Sequence, residues 1–258
     1  MCRRPLVWCG CWSPEKAGQA EHEQQQALQP WSWQAEACRP FPVIAPVPPA
    51  GSTLPVVETF HSLQGEGLHT GRSAFFVRLA GCDVGCSWCD TKHSWPETAH
   101  PHRPISELAA EARQALAAGA AFVVITGGEP LQQPLDPLCD ALTAAGLPLH
   151  LETSGVGCWS GRFDWITLSP KRHAPPTAEA LAACAELKVV VHEPADLEFA
   201  TAMALAAGAA RQGDAAGPAL LLQPGWNCGR GQELALAFVR QHPSWRLSLQ
   251  SHKWLGVR

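Results

Sequence analysis

The strongest constraint on the fold is an alternation of strand and helix signals that runs from residue 55 to the end of the chain. Short apolar runs, such as residues 74–79 and 122–125, are separated by helical patterns, such as residues 105–116. This alternation predicts a parallel sheet with helical crossovers. Polar or glycine-rich groups follow six predicted strands, where parallel α/β barrels form their active sites. Since a closed barrel takes about 250 residues, we predict an α/β fold that is an incomplete (β/α) barrel with parallel strands.

The first 50 residues differ in character from the rest. They carry a Gln/Glu run at residues 21–26 and a Pro-rich stretch at residues 40–49, and they sustain no apolar period. Such a composition does not supply enough apolar surface for a packed core. We therefore predict a poorly ordered N-terminal extension at residues 1–50 and one domain at residues 51–258.

Composition limits the possible partners and compartments. The net charge of −4 indicates no broad basic surface for nucleic acid. No apolar run approaches the roughly 20 residues of a membrane span. The 11 Cys form an odd number, and three of them lie within eight residues, which does not suit a secreted disulfide framework. We expect a cytoplasmic protein that uses some of its Cys for metal or redox chemistry.

Three Cys stand at C-x3-C-x2-C spacing: Cys82, Cys86 and Cys89. Three thiolates can ligate three irons of a four-iron cluster and leave the fourth iron open to another ligand. The spacing alone leaves a zinc site, with His93 as the fourth ligand, as an alternative. A bacterial ferredoxin run would need a fourth Cys and different spacing. The spacing favours the iron cluster.

The Cys motif, together with Gly-Gly-Glu-Pro at residues 127–130, resembles the radical S-adenosylmethionine (radical SAM) superfamily. Within that superfamily, the chain is similar to the 7-carboxy-7-deazaguanine synthases. The segments that carry this resemblance are FHSLQGEG at residues 60–67, Arg78, CDT at 89–91, SPK at 169–171 and HK at 252–253. The resemblance covers residues 55–258.

The resemblance implies an enzyme with a [4Fe-4S] cluster, S-adenosylmethionine and Mg²⁺ as cofactors. It implies conversion of 6-carboxy-5,6,7,8-tetrahydropterin to 7-carboxy-7-deazaguanine, with loss of ammonia, on the route to queuosine. A homodimer and an electron donor such as flavodoxin or ferredoxin are further implications. Two alternatives remain open: a glycyl-radical-enzyme activating enzyme with the same Cys spacing, and a zinc-binding module without catalysis.

The resemblance also assigns roles to residues. Cys82, Cys86 and Cys89 would hold the cluster, and Thr91 would help to hold Mg²⁺, although a turn or N-cap threonine is the plainer interpretation. The residues expected at the S-adenosylmethionine site are Trp88, Cys89, Asp90, Gly128, Glu152 as a ribose contact, Ser169, Pro170, Lys171, Gln223, Pro224, Gly225 and Trp226. The residues expected at the substrate are Leu63, Gln64, Gly65, Glu66, Arg78, Thr126, His252 and Arg258.

Two of these expectations have specific alternatives. Arg78 has a planar fork suited to a carboxylate, but it could also be a surface strand residue paired with an acidic side chain. If the chain terminus contacts substrate, the charged side chain of Arg258 is expected to point away from it. Lys188, which lies in a predicted strand, is expected to be structural, with its stem packed and its ammonium group in water.

Overall fold

The computed structural model describes residues 52–211 and 216–258, so the predicted extension at residues 1–50 lies outside the described residues. The helices and strands follow in this order: β1 (Thr53–Leu63), β2 (Ser73–Leu79), β3 (His102–Pro104), α1 (Ile105–Ala117), β4 (Val123–Gly127), α2 (Asp136–Thr143), β5 (Leu149–Thr153), β6 (Trp165–Leu168), α3 (Ala178–Ala183), β7 (Glu186–Val191), α4 (Pro194–Ala210), β8 (Ala219–Pro224), α5 (Gly229–Gln241), β9 (Trp245–Leu247) and α6 (Ser251–Leu255). None of the helices within the described ranges is long and apolar enough to cross a membrane.

These strands form one nine-stranded sheet in the order β3-β1-β2-β4-β5-β6-β7-β8-β9. From β2 to β9, every neighbouring pair in this order is parallel. The order has two ends, at β3 and β9, so the sheet is not closed and the predicted incomplete barrel is confirmed. The prediction of parallel strands is incomplete at one edge, because β1 pairs antiparallel with both β2 and β3.

A bulge in β1 decides which of its side chains face the inside of the sheet. The register passes from Val56 opposite Leu79 to Glu58 opposite Arg78, which leaves Val57 as the extra residue. Regular alternation would put residues 56 and 58 on the same face, and one inserted residue reverses that alternation. Val56 accordingly belongs to the main hydrophobic core, whereas Glu58 lines the central cavity.

The main core lies between the sheet and the helices that cover it. Helix α1 buries Ile105, Leu108, Ala112 and Ala115, which recur at the three- and four-residue spacing predicted for an amphipathic helix. This core takes in residues from β1 through α5 and β9. The helices cover the outer face of the sheet. The polar side chains lie at the carboxyl ends of the parallel strands.

Candidate active site

The carboxyl ends of the strands surround a cavity of about 730 Å³. This volume lies within the range of cofactor and small-molecule sites. Apart from two proline residues, every site residue predicted from the sequence lines this cavity. The two exceptions, Pro170 and Pro224, lie between neighbours that do line it. The structure therefore brings the proposed cluster, cofactor and substrate residues to one place.

The three motif cysteines lie in the loop that follows β2, here called the Cys loop (residues 80–91). Backbone hydrogen bonds fix this loop, from Gly81 N to Ser94 O at 2.9 Å and from Cys82 N to Trp95 O at 3.2 Å. Cys82, Cys86 and Cys89 are free thiols that line the cavity. Burial raises the pKa of the Cys82 and Cys86 thiols.

The structure does not place His93 at the cavity with the three motif cysteines. Across the described ranges, no three His, Cys, Asp or Glu side chains are arranged to hold one metal ion. His93, the fourth ligand of the zinc alternative, is exposed and does not line the cavity. Three free thiols facing one cavity from one fixed loop match the three ligands of a cluster with an open iron.

The glycines at the end of β4, Gly127 and Gly128, are required by the close approach of the end of β2 and the start of the Cys loop. Gly127 has a φ of 140°, and a Cβ on it would lie 2.1 Å from the carbonyl oxygen of Leu79. A Cβ on Gly128 would lie 2.1 Å from the carbonyl oxygen of Gly81. Both positions exclude any side chain, because the neighbouring atoms are backbone and cannot rotate away. Both glycines also line the cavity.

The next residue of that turn, Glu129, is buried and joins two strand ends. Its carboxylate accepts hydrogen bonds from Leu131 N at 3.0 Å and from Ser154 N at 2.8 Å, and also from the hydroxyls of Ser154 and Thr153. Burial raises its pKa despite these donors. Glu129 thereby fixes the end of β4 against the end of β5, and it is a site residue that the sequence analysis did not assign.

Glu66 lies at the centre of a buried polar network. Its carboxylate is paired with Lys188 and accepts hydrogen bonds from Gln223 at 3.1 Å and from Gln250 at 2.9 Å. Burial opposes ionisation, but the charge of Lys188 and the three donors outweigh it and lower the pKa of Glu66 to about 2. This network joins the loop after β1 to β7, β8 and the segment after β9.

The expectation for Lys188 is wrong. Its side chain is 6% exposed and its ammonium group contacts Glu66 inside the cavity rather than water. The reason is that β7 turns alternate side chains inward, so Glu186, Lys188 and Val190 share the inner face. Glu186 accepts a hydrogen bond from Leu68 N at 2.9 Å, which also ties the segment after β1 to β7.

Glu152 lies beside predicted substrate residues. Its Oε1 accepts a hydrogen bond from Gln64 Nε2 at 2.8 Å, and its Oε2 accepts one from Thr126 Oγ1 at 3.3 Å. The predicted role of Glu152 is a contact to the ribose of the cofactor, whereas both of its hydrogen-bond partners belong to the predicted substrate residues. These hydrogen bonds form one polar wall of the cavity, from the loop after β1 across β4 to β5.

Arg78 is paired across the strands, as the plainer interpretation anticipated, yet it still lines the cavity. Its Nε donates to Glu58 Oε1 at 3.0 Å, and Arg258 Nη1 lies 3.1 Å from the other oxygen of Glu58. Both guanidinium groups also lie within 6 Å of the centre of the Phe60 ring. The Arg258 side chain is therefore directed towards Glu58 at the cavity wall.

Two lysines lie against aromatic rings in the lining of the cavity. Lys171 Nζ donates to the carbonyl and hydroxyl oxygens of Ser169 at 2.7 and 2.8 Å and lies 5.1 Å from the centre of the Trp88 ring. Burial lowers the pKa of Lys171. Lys253 of α6 is paired with Asp90 of the Cys loop and lies 4.9 Å from the Trp226 ring. Such cation–π contacts stabilise the positions of the two rings.

Thr91 follows the last motif Cys by two residues. Its backbone N–H donates to the sulfur of Cys89 at 3.4 Å, and its Oγ1 lies 3.5 Å from the same sulfur. The hydroxyl makes no N-cap hydrogen bond to the short 3-10 turn at residues 92–94. Thr91 thus ends the Cys loop and lines the cavity, with its hydroxyl next to the sulfur of Cys89.

Comparison with known proteins decides the family. Residues 77–166 match the Radical SAM superfamily. The chain is 51% identical over 220 residues to a 7-carboxy-7-deazaguanine synthase from Prochlorococcus marinus, a match that covers 79% of this chain and 98% of that protein. The chain belongs to the 7-carboxy-7-deazaguanine synthase family.

Other matches agree with this membership. The synthase from Synechocystis sp. is 48% identical, with 79% of this chain and 93% of that protein covered. The crystal structure of QueE from Escherichia coli superposes with a TM-score of 0.66 at 32% identity, covering 78% of this chain and 95% of that chain. The fold is therefore the incomplete barrel of radical SAM enzymes.

Membership in this family resolves the alternatives left by the sequence. The protein is a radical SAM enzyme of queuosine biosynthesis, so a zinc module without catalysis and a glycyl-radical-enzyme activating enzyme are not favoured. The family implies a [4Fe-4S] cluster and S-adenosylmethionine. The free thiols of the Cys loop and the glycine backbone at residues 127–128 line one cavity, which suits both groups.

Proposed function

We propose that this protein converts 6-carboxy-5,6,7,8-tetrahydropterin to 7-carboxy-7-deazaguanine with loss of ammonia, in the cytoplasm, on the route to queuosine. One observation carries the proposal: the three cluster thiols and the polar wall of Gln64, Thr126 and Glu152 line the same cavity. A planar substrate with an amide-like edge needs hydrogen-bond donors and acceptors of this kind. It must also bind in the same cavity as the source of the radical.

Cys82, Cys86 and Cys89 would hold the cluster, which together with S-adenosylmethionine supplies the one-electron chemistry that removes a hydrogen atom from the substrate. The chain itself binds and orients the reactants. Gly128 offers backbone, and Trp88 and Trp226 offer rings held by lysines, on the cofactor side. The network around Glu66 fixes the loop that carries Gln64. A fixed wall keeps the substrate in one orientation and excludes water.

Arg78 is the proposed contact for the substrate carboxylate, and a first prediction follows. We expect Arg78→Lys to raise the KM for the pterin about 30-fold, since losing a bidentate charge-assisted contact costs about 2 kcal/mol. Cleavage of S-adenosylmethionine without substrate should not change. Steady-state kinetics and 5′-deoxyadenosine analysis measure the two quantities. Loss of both reactions together, or an unchanged KM, would exclude Arg78 as the clamp.

A second prediction concerns Mg²⁺, which we propose Thr91 helps to hold against the substrate carboxylate. Its hydroxyl lines the cavity and is not used as an N-cap. Mg²⁺ accepts hard oxygen ligands and retains several waters. Thr91→Val keeps the shape and removes the oxygen, so we expect lower activity and a weaker dependence on Mg²⁺, with full iron content. Thr91→Ser should retain the wild-type response, and a Mg²⁺ titration that Thr91→Val leaves unchanged would contradict the assignment.

The physiological reductant and the assembly are also proposals. We propose flavodoxin or ferredoxin as the electron donor and a homodimer as the assembly, both supported by the resemblance to the family. Reduction of the cluster by each purified donor, followed by electron paramagnetic resonance, tests the first. Light scattering of the loaded enzyme tests the second.

The experiment that tests the whole proposal is an anaerobic assay. It combines the iron-loaded protein with 6-carboxy-5,6,7,8-tetrahydropterin, S-adenosylmethionine, dithionite and Mg²⁺. We expect 7-carboxy-7-deazaguanine and ammonia in equal amounts, detected by mass spectrometry. S-adenosylmethionine cleavage without either product would refute the substrate assignment.

A further inference from the structure

One carboxylate, that of Glu58, holds two arginine side chains at the cavity wall. Its two oxygens each contact a different arginine, Arg78 at 3.0 Å and Arg258 at 3.1 Å. The bond from Arg78 uses Nε, which is the one nitrogen of that guanidinium group with a hydrogen-bond partner in the described part of the chain. The two terminal nitrogens of Arg78 therefore remain for a ligand in the cavity.

Local structure puts Glu58 in this position. Because of the bulge at Val57, Glu58 lies directly across from Arg78 on the inner face of the β1–β2 pair. The next residue, Thr59, faces the other way and donates to Glu111 of α1 at 2.6 Å. If the same sequence ran through this point as a regular strand without the bulge, Glu58 would lie on the helix-covered face with Val56, and Arg78 would lose Glu58 as the acceptor beside its Nε.

We propose that Glu58 is a positioning residue, which orients Arg78 so that its two terminal nitrogens receive the carboxylate of the substrate. The inference rests on the proposed function, since it requires a carboxylated substrate. Guanidinium is planar, so one hydrogen bond at Nε together with packing on the Phe60 ring fixes the plane of the group. A fixed plane presents both terminal nitrogens at once, whereas a free arginine would have to be ordered on binding.

A competing effect has the opposite sign. Glu58 is negative and lies near the place where the substrate carboxylate would bind, so its removal would strengthen the attraction between the two arginines and an anion. Two substitutions separate these effects. Glu58→Gln removes the charge and keeps an oxygen that accepts from Nε, while Glu58→Ala removes both. If Glu58 acts by orienting Arg78, only Glu58→Ala weakens binding of the carboxylated ligand. If repulsion between Glu58 and the ligand carboxylate dominates, both variants bind that ligand more tightly.

The experiment compares equilibrium binding of 6-carboxypterin and pterin, a pair that differs in the carboxylate. We expect wild-type protein to prefer 6-carboxypterin, Glu58→Gln to retain this preference within about threefold, and Glu58→Ala to bind 6-carboxypterin about tenfold more weakly with pterin unchanged. Glu111→Gln is the matched control, because Glu111 also pairs with an arginine, Arg103, but lies outside the cavity lining. It should leave both affinities unchanged.

Steady-state kinetics of Glu58→Ala, alone and combined with Arg78→Lys, complete the test. Glu58→Ala should raise the KM for the tetrahydropterin with little change in kcat. In the Arg78→Lys background it should add almost nothing, because the two residues act as one unit. Tighter binding in both Glu58 variants, or additive losses with Arg78→Lys, would overturn the inference. A wild-type protein without preference for 6-carboxypterin would instead refute the proposed substrate class.

Discussion

Replacing Cys82, Cys86 or Cys89 by Ala should each abolish turnover and remove most of the bound iron. Each thiol lies on a backbone-fixed loop and faces the same cavity, and each is expected to supply one of the three ligands of the cluster. Iron and sulfide content, together with 5′-deoxyadenosine release by anaerobically purified variants, measures the effect.

The control for this prediction comes from the other cysteines of the domain. Cys139 and Cys184 are buried in the main hydrophobic core, away from the cavity. Burial raises the pKa of the Cys139 thiol to about 11, which keeps it protonated and a poor iron ligand. Cys139→Ala and Cys184→Ala should therefore keep full iron content and activity. A motif variant that retained activity, or a core variant that lost its iron, would contradict the assignment.

Local pattern was sufficient to predict the parallel part of the fold. Buried parallel strands such as β4 and β7 are short runs of mostly apolar residues. Such runs can be recognised from a few consecutive residues of the sequence. Strand β1 was not recognised because it is rich in polar residues and the bulge at Val57 breaks its period of two. The antiparallel edge formed by β1 and β3 was missed for the same reason.

The site was predictable where residues belong to motifs, but not where they meet across the fold. Lys188 and Glu66 are 122 residues apart, and nothing local to Lys188 indicates that it has a buried partner. Inward alternation along β7, with Glu186 and Lys188 two residues apart, was the available signal. The glycines after β4 were predicted for ligand approach, yet their nearest neighbours are backbone atoms of Leu79 and Gly81. Contacts of this kind depend on tertiary structure.

The buried pair of Lys188 and Glu66 gives the largest expected effect on stability. In Lys188→Met, Glu66 keeps Gln223 and Gln250 as donors but loses its only opposing charge within the network. Leaving a buried carboxylate unpaired costs about 3–5 kcal/mol, whereas replacing both members of a pair is often nearly neutral. We therefore expect a large loss in the free energy of unfolding for Lys188→Met and a much smaller loss for the double variant Lys188→Met/Glu66→Gln. Urea unfolding of the iron-free proteins at pH 7 measures both, and a double variant as unstable as the sum of the single variants would contradict the pairing.

The pH dependence of the same variants tests the sign of the interaction. In the native protein the pKa of Glu66 is lowered from 4.5 to about 2, so between these values the unfolded chain binds more protons than the folded one. The stability due to Glu66 is thus complete above pH 4.5 and is lost as the pH falls toward 2. The Glu66→Gln variant should lack this loss of stability.

In Lys188→Met the shift in the pKa of Glu66 reverses its direction, because burial without a cation raises that pKa. Protonation of Glu66 then removes the unpaired charge. We expect the stability difference between wild type and Lys188→Met to narrow as the pH is lowered from 7 to 4. Iron-free protein is required for this comparison, since acid removes iron–sulfur clusters. A difference that stays constant over this range would show that Lys188 stabilises the fold by packing rather than by its charge.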